Sequence, residues 1–216
     1  MANLISLSRL PLLLALVWMA YRPVGWWQIA ATGVLVVVFT LDAIDGAVAR
    51  RRGESSPFGA VLDIAVDRAV ELGFWFLLVD LGAAPLWAAL VFVIRGALVD
   101  ALRAARLDAD GVEPFDAFSS PFARWVVKGR FMRGFYAAMK GIAFGWLLFF
   151  VGAPALIEPL APALWATVAP WIALVGQTLV WIVVALCVLR GLPDLLEYPR
   201  QIARSLRAGG LSSSRR

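Results

Sequence analysis

Apolar residues along this chain gather into six runs, approximately Ser8 to Tyr21, Trp26 to Val48, Phe58 to Leu81, Pro85 to Ala105, Phe135 to Val151 and Pro162 to Leu189. Most approach the roughly 20 residues that cross bilayer hydrocarbon as a helix, and the first does so with its flanks. The pattern predicts an all-α integral membrane protein of six transmembrane helices, with a short interfacial helix over residues 1–9 leading into the first. Polar punctuation falls between the runs. Arg22-Pro23-Val24-Gly25 reads as a turn, followed by Trp26 and Trp27 as an interfacial anchor. Ser56 and Pro57 read as the N-cap and first residue of the third helix, which leaves Arg51 to Ser55 as a loop. Leu107 to Val127 is the one long polar connection and is expected to be a solvated loop lying on the membrane. From Leu195 to Arg216, several Arg alternate with Tyr198, Ile202 and Leu206, predicting a basic amphipathic helix on anionic lipid before a flexible Ser-rich end.

Composition narrows the class. With 216 residues, 62% of them hydrophobic, and a mean hydropathy of +0.81, the chain is expected to be a single membrane domain over 1–216, with a core at 10–190 and a basic tail at 191–216. There is no His and one Cys, Cys187, which excludes a disulfide framework, a zinc site and a Cys-His nucleophile pair. A general base must then be a carboxylate or, less readily, a Tyr or Lys. The net charge of +5 does not point to nucleic acid, because the cations collect beside hydrophobic runs instead of along a soluble face. The residues up to Arg9 carry one basic side chain, and no small-residue cleavage site follows the first run, so no secretory signal peptide is expected. Arg50, Arg51, Arg52, Arg103, Arg106, Arg124, Lys128, Arg130, Arg133, Arg190, Arg200, Arg204 and Arg207 fall on one side of a six-span arrangement, with Arg22 alone opposite. The positive-inside rule makes that side, and both termini, cytoplasmic.

The chemistry is concentrated between Asp42 and Asp67. On helices, Asp42, Asp45, Gly46 and Ala49 form one stripe, and Gly59, Asp63 and Asp67 a second on the helix that follows. Four carboxylates are thereby brought together at the ends of two apolar helices, where like charges cannot all stay ionised without a cation. An all-oxygen set suits a hard divalent ion, Mg²⁺ or Mn²⁺, as one or two ions. Gly46, Ala49 and Gly59 remove bulk where a ligand or the facing helix must come close.

These positions, Asp42-x2-Asp45-Gly46-x2-Ala49-Arg50-x8-Gly59-x3-Asp63-x3-Asp67, resemble the complete signature of the CDP-alcohol phosphatidyltransferase family. Asn3-x2-Ser6-x2-Arg9 is similar to the Asn-x2-Thr/Ser-x2-Arg stretch that opens many of its members. The resemblance implies a membrane enzyme that moves a phosphatidyl group from CDP-diacylglycerol, or a similar CDP-lipid, to the hydroxyl of a small alcohol and releases CMP. It implies Asp42, Asp45, Asp63 and Asp67 as metal positions and Asp67 as general base. Gly46, Ala49, Arg50 and Gly59 are implied in CDP-lipid binding; the planar fork of Arg50 suits a diphosphate. Membrane lipids as surroundings, a bacterial or archaeal cell membrane as location, and a homodimer complete what the resemblance implies.

The acceptor is read from cations. Arg95 and Lys140 fall inside apolar runs, where a cation needs a partner or ligand, and Arg103, Arg130 and Arg133 lie nearby at the cytoplasmic ends. The set loosely resembles the phosphate-binding region of family members that use glycerol 3-phosphate or an inositol phosphate, which would favour a phosphorylated acceptor over serine or choline; snorkelling anchors at the membrane edge are the other reading of the same cations. Gly129-Arg-Phe-Met-Arg133 departs from the Gly-Lys-x-Lys-Thr-like run expected of the glycerophosphate pattern. Arg68 and Glu71, three residues apart, read as a structural pair. An intramembrane prenyltransferase and a cation transporter are the rival classes. The first spreads its Asp-rich motifs over distant helices, and the second would need broken helices and acidic residues on matched halves.

Overall fold

The structure is a computed structural model that describes residues 2–22, 25–52, 57–110 and 121–213; side chains at 2, 3, 5, 42–52, 57, 58, 60, 103–110, 121–123, 128 and 198–213 lie outside the description. Among the described residues every regular element is an α-helix: α1 (Ala2–Ala20), α2 (Gly25–Arg52), α3 (Pro57–Asp80), α4 (Leu86–Asp110), α5 (Pro121–Lys128), α6 (Arg130–Ile157) and α7 (Pro162–Ser213). The six apolar runs correspond to α1 to α4, α6 and α7.

The helices overrun the apolar runs where good helix formers continue. Residues 2–9 are not a separate element but the first turns of α1, which passes through Pro11 without a break. The stretch Ala101-Leu-Arg-Ala-Ala-Arg106 carries α4 on to Asp110, and α5 starts at Pro121, so the connection expected over Leu107 to Val127 is largely helical at both ends. Arg51 and Arg52 belong to α2 instead of a loop, and α7 runs through the basic tail to Ser213. α3 begins at Pro57 as expected; Ser56 lies outside the described residues. It ends at Gly82, whose φ of +70° turns the chain so that the amide of Ala83 donates back to the Leu78 carbonyl at 2.8 Å.

The chain divides into two compact units, Met1–Ala89 with Met139–Trp181, and Leu90–Ala138 with Ile182–Arg216, and α4, α6 and α7 contribute to both. In the first unit the core is built on Phe74, Trp75 and Phe144, with the Trp75 and Phe144 rings edge to face at 5.1 Å. α2 starts in close contact with α6: a side chain on Gly25 would strike the Gly152 carbonyl. At the α1–α2 turn Trp26 stacks on Trp27 at 4.0 Å and the Arg22 guanidinium lies 3.9 Å from the Trp18 ring centroid, an aromatic and cationic collar of the kind found at membrane interfaces. The second unit buries Phe92, Val99, Val126, Val127 and Cys187. There Arg190 reaches the backbone carbonyls of Met132 and Val127 and lies 5.1 Å from the Tyr136 ring centroid.

Apolar side chains cover the outside as well as the core. Leu14, Trp171, Leu164 and Leu174 are exposed, a surface that calls for lipid and not water. Among the described residues, Arg130–Ile157 and Pro162–Glu197 are long and apolar enough to cross a membrane, and Ser6–Ala20 and Gly25–Leu41 are shorter apolar helices.

Candidate active site

α3 presents its acidic residues on one face: Asp63, Asp67 and Glu71 recur every four positions and stack on successive turns, with Gly59 one turn before them. The buried stripe of α1 runs Ser6, Arg9, Leu13, Leu16, Ala20, so it is polar at its start and apolar thereafter. The two polar ends meet. Arg9 Nη1 donates to Asp67 Oδ1 at 2.7 Å and Arg9 Nη2 to Asp63 Oδ1 at 3.1 Å, while Ser6 Oγ donates to the same Asp63 oxygen at 3.3 Å. Further along, Leu13 lies against Gly73, and the Tyr21 hydroxyl donates to Asp80. Contacts that advance together along both helices show that α1 and α3 run parallel, with α2 as the return stroke.

Burial in this cluster is uneven. Arg9 is 2% exposed, whereas Asp63 and Asp67 keep 46% and 49% of their side-chain surface exposed. The guanidinium therefore sits behind the carboxylates on the core side, and their open face looks away from it. One turn further, the arrangement inverts. Glu71, 8% exposed, accepts from Arg68 Nη1 at 2.9 Å and from Lys140 Nζ on α6.

Of the expected site residues, Gly59, Asp63 and Asp67 are thus brought onto one face of α3. Asp42, Asp45, Gly46, Ala49 and Arg50 lie on α2, and Arg103 on α4, but their side chains are outside the described residues. Lys140 is held by Glu71 in the first unit. In the second, Arg95 lies against Gly191, where an added Cβ would come within 2.8 Å of its Cγ, and Arg130 and Arg133 are exposed at the start of α6. Arg68 pairs with Glu71, as their spacing predicts, whereas Ser6 and Arg9 enter the site from outside the Asp42–Asp67 stretch. A cation on the otherwise apolar stripe Arg9, Leu13, Leu16, Ala20 was the available signal, since a buried cation demands a carboxylate.

Among the described residues no group of three or more His, Cys, Asp or Glu side chains is gathered as a metal site. The described half of the expected donor set nevertheless fits a hard divalent cation: two carboxylates on consecutive turns, turned together and half-open. The cavity of about 670 Å³ in the first unit is a different place, lined by Trp87, Trp146, Trp165, Gln177 and Trp181 beyond the far end of α3.

All-helical architecture, an apolar exterior and a converging acidic pair define a membrane protein with a polar, anion-lined site. The chain belongs to the CDP-alcohol phosphatidyltransferase family, whose model matches residues 1–189. The family is generally dependent on a divalent metal. A Pseudomonas fluorescens CDP-diacylglycerol–glycerol-3-phosphate 3-phosphatidyltransferase is 36% identical over 104 residues, 47% of this chain and 53% of that protein. The Escherichia coli K12 protein of the same name is 28% identical over 149 residues, 68% and 75% of the two chains. A Mycobacterium tuberculosis protein provisionally named a cardiolipin synthase is 35% identical over 101 residues, 45% of this chain and 46% of its own. The chain spans about half the length of the first of these relatives. The relatives are bacterial, and this chain carries helices long and apolar enough to cross a membrane.

Proposed function

We propose that this protein transfers the phosphatidyl group of CDP-diacylglycerol to the hydroxyl of glycerol 3-phosphate, releasing CMP. The observation that carries this reading is the Asp63–Asp67 pair, set side by side with its open face outward on the helix that also bears Gly59. The names of the P. fluorescens and E. coli relatives support the acceptor.

In the proposed reaction the acceptor oxygen forms a bond to the lipid-side phosphorus, the bond from that phosphorus to the bridging oxygen breaks, and CMP departs with that oxygen. Asp67 takes the acceptor proton. Asp42, Asp45, Asp63 and Asp67 would hold Mg²⁺ or Mn²⁺, one ion or two, which when bound offsets charge on the phosphoryl oxygens and the leaving group. Gly46, Ala49, Arg50 and Gly59 bind the CDP-lipid. Arg95, Arg103, Arg130, Arg133 and Lys140 attract the acceptor phosphate. Lys140 and Arg68 are held together by the buried carboxylate of Glu71. Six spans, a cytoplasmic active site and termini, and a homodimer belong to the same reading.

CMP release from CDP-diacylglycerol by purified protein with Mg²⁺ or Mn²⁺ tests it, with glycerol 3-phosphate, inositol phosphate, inositol, serine, phosphatidylglycerol or no acceptor. Release that depends on glycerol 3-phosphate is expected. Dependence on another of these acceptors would keep the reaction class and replace glycerol 3-phosphate, and no release with any of them would overturn the reading.

A further inference from the structure

The geometry points to Arg9, assisted by Ser6, as the positioning residue that sets the metal-facing geometry of Asp63 and Asp67 from behind. The inference rests on the metal role proposed for those two residues. Two carboxylates on consecutive turns repel and, left alone, rotate apart. Here one planar guanidinium donates from its two terminal nitrogens to Oδ1 of each, and Ser6 adds a donor to Oδ1 of Asp63. A fork of fixed geometry can hold two acceptors at a set separation, which a single ammonium cannot do as well.

Arg9 is not itself placed to touch a substrate. At 2% exposure it is walled in between α1 and α3, whereas the carboxylates it holds are about half exposed. Ser6, 4% exposed, is equally enclosed. The direction of the arrangement is therefore fixed: protein donors on the core side, acidic oxygen surface on the open side. Donors behind metal-ligating carboxylates fix their orientation, and losing such a donor weakens metal binding by about 10–100-fold. α1 keeps its place through the Leu13 contact with Gly73 and the Tyr21–Asp80 bond, so the guanidinium is held at a set height along α3.

The test is Mn²⁺ affinity of the full chain in detergent, read from the electron paramagnetic resonance signal of unbound Mn²⁺, with a thermal melt of each variant. Wild type is expected to bind Mn²⁺ and Asp63→Asn to lose most of that binding. Arg9→Ala is expected to weaken binding about 10–100-fold, Arg9→Lys less, and Ser6→Ala about 2–5-fold. If Arg9→Ala does not fold, Arg9→Lys decides the matter, because it keeps the charge and removes the fork. Folded Arg9 variants that bind Mn²⁺ within twofold of wild type, while Asp63→Asn does not, would overturn the role of Arg9 and leave the metal reading intact. Absence of Mn²⁺ binding in wild type, or full binding in Asp63→Asn, would overturn both.

Discussion

Two charged clusters lie one helical turn apart on α3, and they are built in opposite senses. In the first a buried cation, Arg9, serves two half-exposed carboxylates, Asp63 and Asp67. In the second a buried carboxylate, Glu71, serves two cations, Arg68 and Lys140. The acids are the open partners in the first, which offers acidic oxygen, whereas in the second the acid is covered and its two cations are only partly open. An acidic stripe with one spacing, Asp63, Asp67, Glu71, is thus divided into two half-open acids and one covered acid by the partners that pack against each. Burial of the countercharge, and not the identity of the acid, makes the distinction.

The largest effect expected from breaking this contrast is on the acidic side. Asp67→Asn should lower turnover by about 10²–10⁴-fold, the usual value of a general base, while CDP-lipid binding remains. Near-normal CMP release by that variant would remove Asp67 as the base. On the other side the loss is structural. Glu71→Ala leaves Lys140 and Arg68 without their shared carboxylate and should cost about 3–5 kcal/mol in a denaturation experiment, with Mn²⁺ affinity kept within twofold. A parallel fall in Mn²⁺ affinity would mean that the two clusters act as one.

Smaller changes sharpen the picture. Gly73→Ala puts a Cβ 2.8 Å from a Leu13 methyl, which must move aside; about 1–3 kcal/mol of stability should go, with a modest weakening of Mn²⁺ binding as α1 shifts and carries Arg9 with it. Unchanged Mn²⁺ affinity would show that Arg9 tolerates that displacement. Tyr21→Phe removes a bond at the far end of the same helix pair and should cost about 1 kcal/mol, with no change in metal affinity.

What the sequence made legible was local. Gly59, Asp63 and Asp67 share a face because their spacing is that of a helix, and that spacing can be read without any knowledge of neighbours. Arg68 and Glu71 were legible as a pair for the same reason. The partners that decide what each acid does are remote: Arg9 is 54 and 58 positions from its two carboxylates, and Lys140 is 69 from Glu71. No periodicity within one helix reports such a contact. Lys140 therefore read only as a cation in need of a partner or ligand, and Arg9 as the end of an interfacial segment. Helix ends were blurred for another reason. Hydropathy marks where apolar residues stop, but Ala, Leu and Arg continue a helix into polar surroundings, as at the end of α4 and along the tail of α7.

The bond between Arg9 and Asp67 also sets an order of assembly. The 58 positions between them take about 3–12 s to synthesise at ordinary translation rates. For that time α1 has left the ribosome with a cation on the stripe it will bury and neither of the two carboxylates of α3 to meet it. An Arg buried without its carboxylates is costly, so the start of the first helix waits at the membrane surface, where its guanidinium reaches water. It settles fully only when α3 arrives with Asp63 and Asp67. Formation of the acidic site and the final seating of α1 are then the same event.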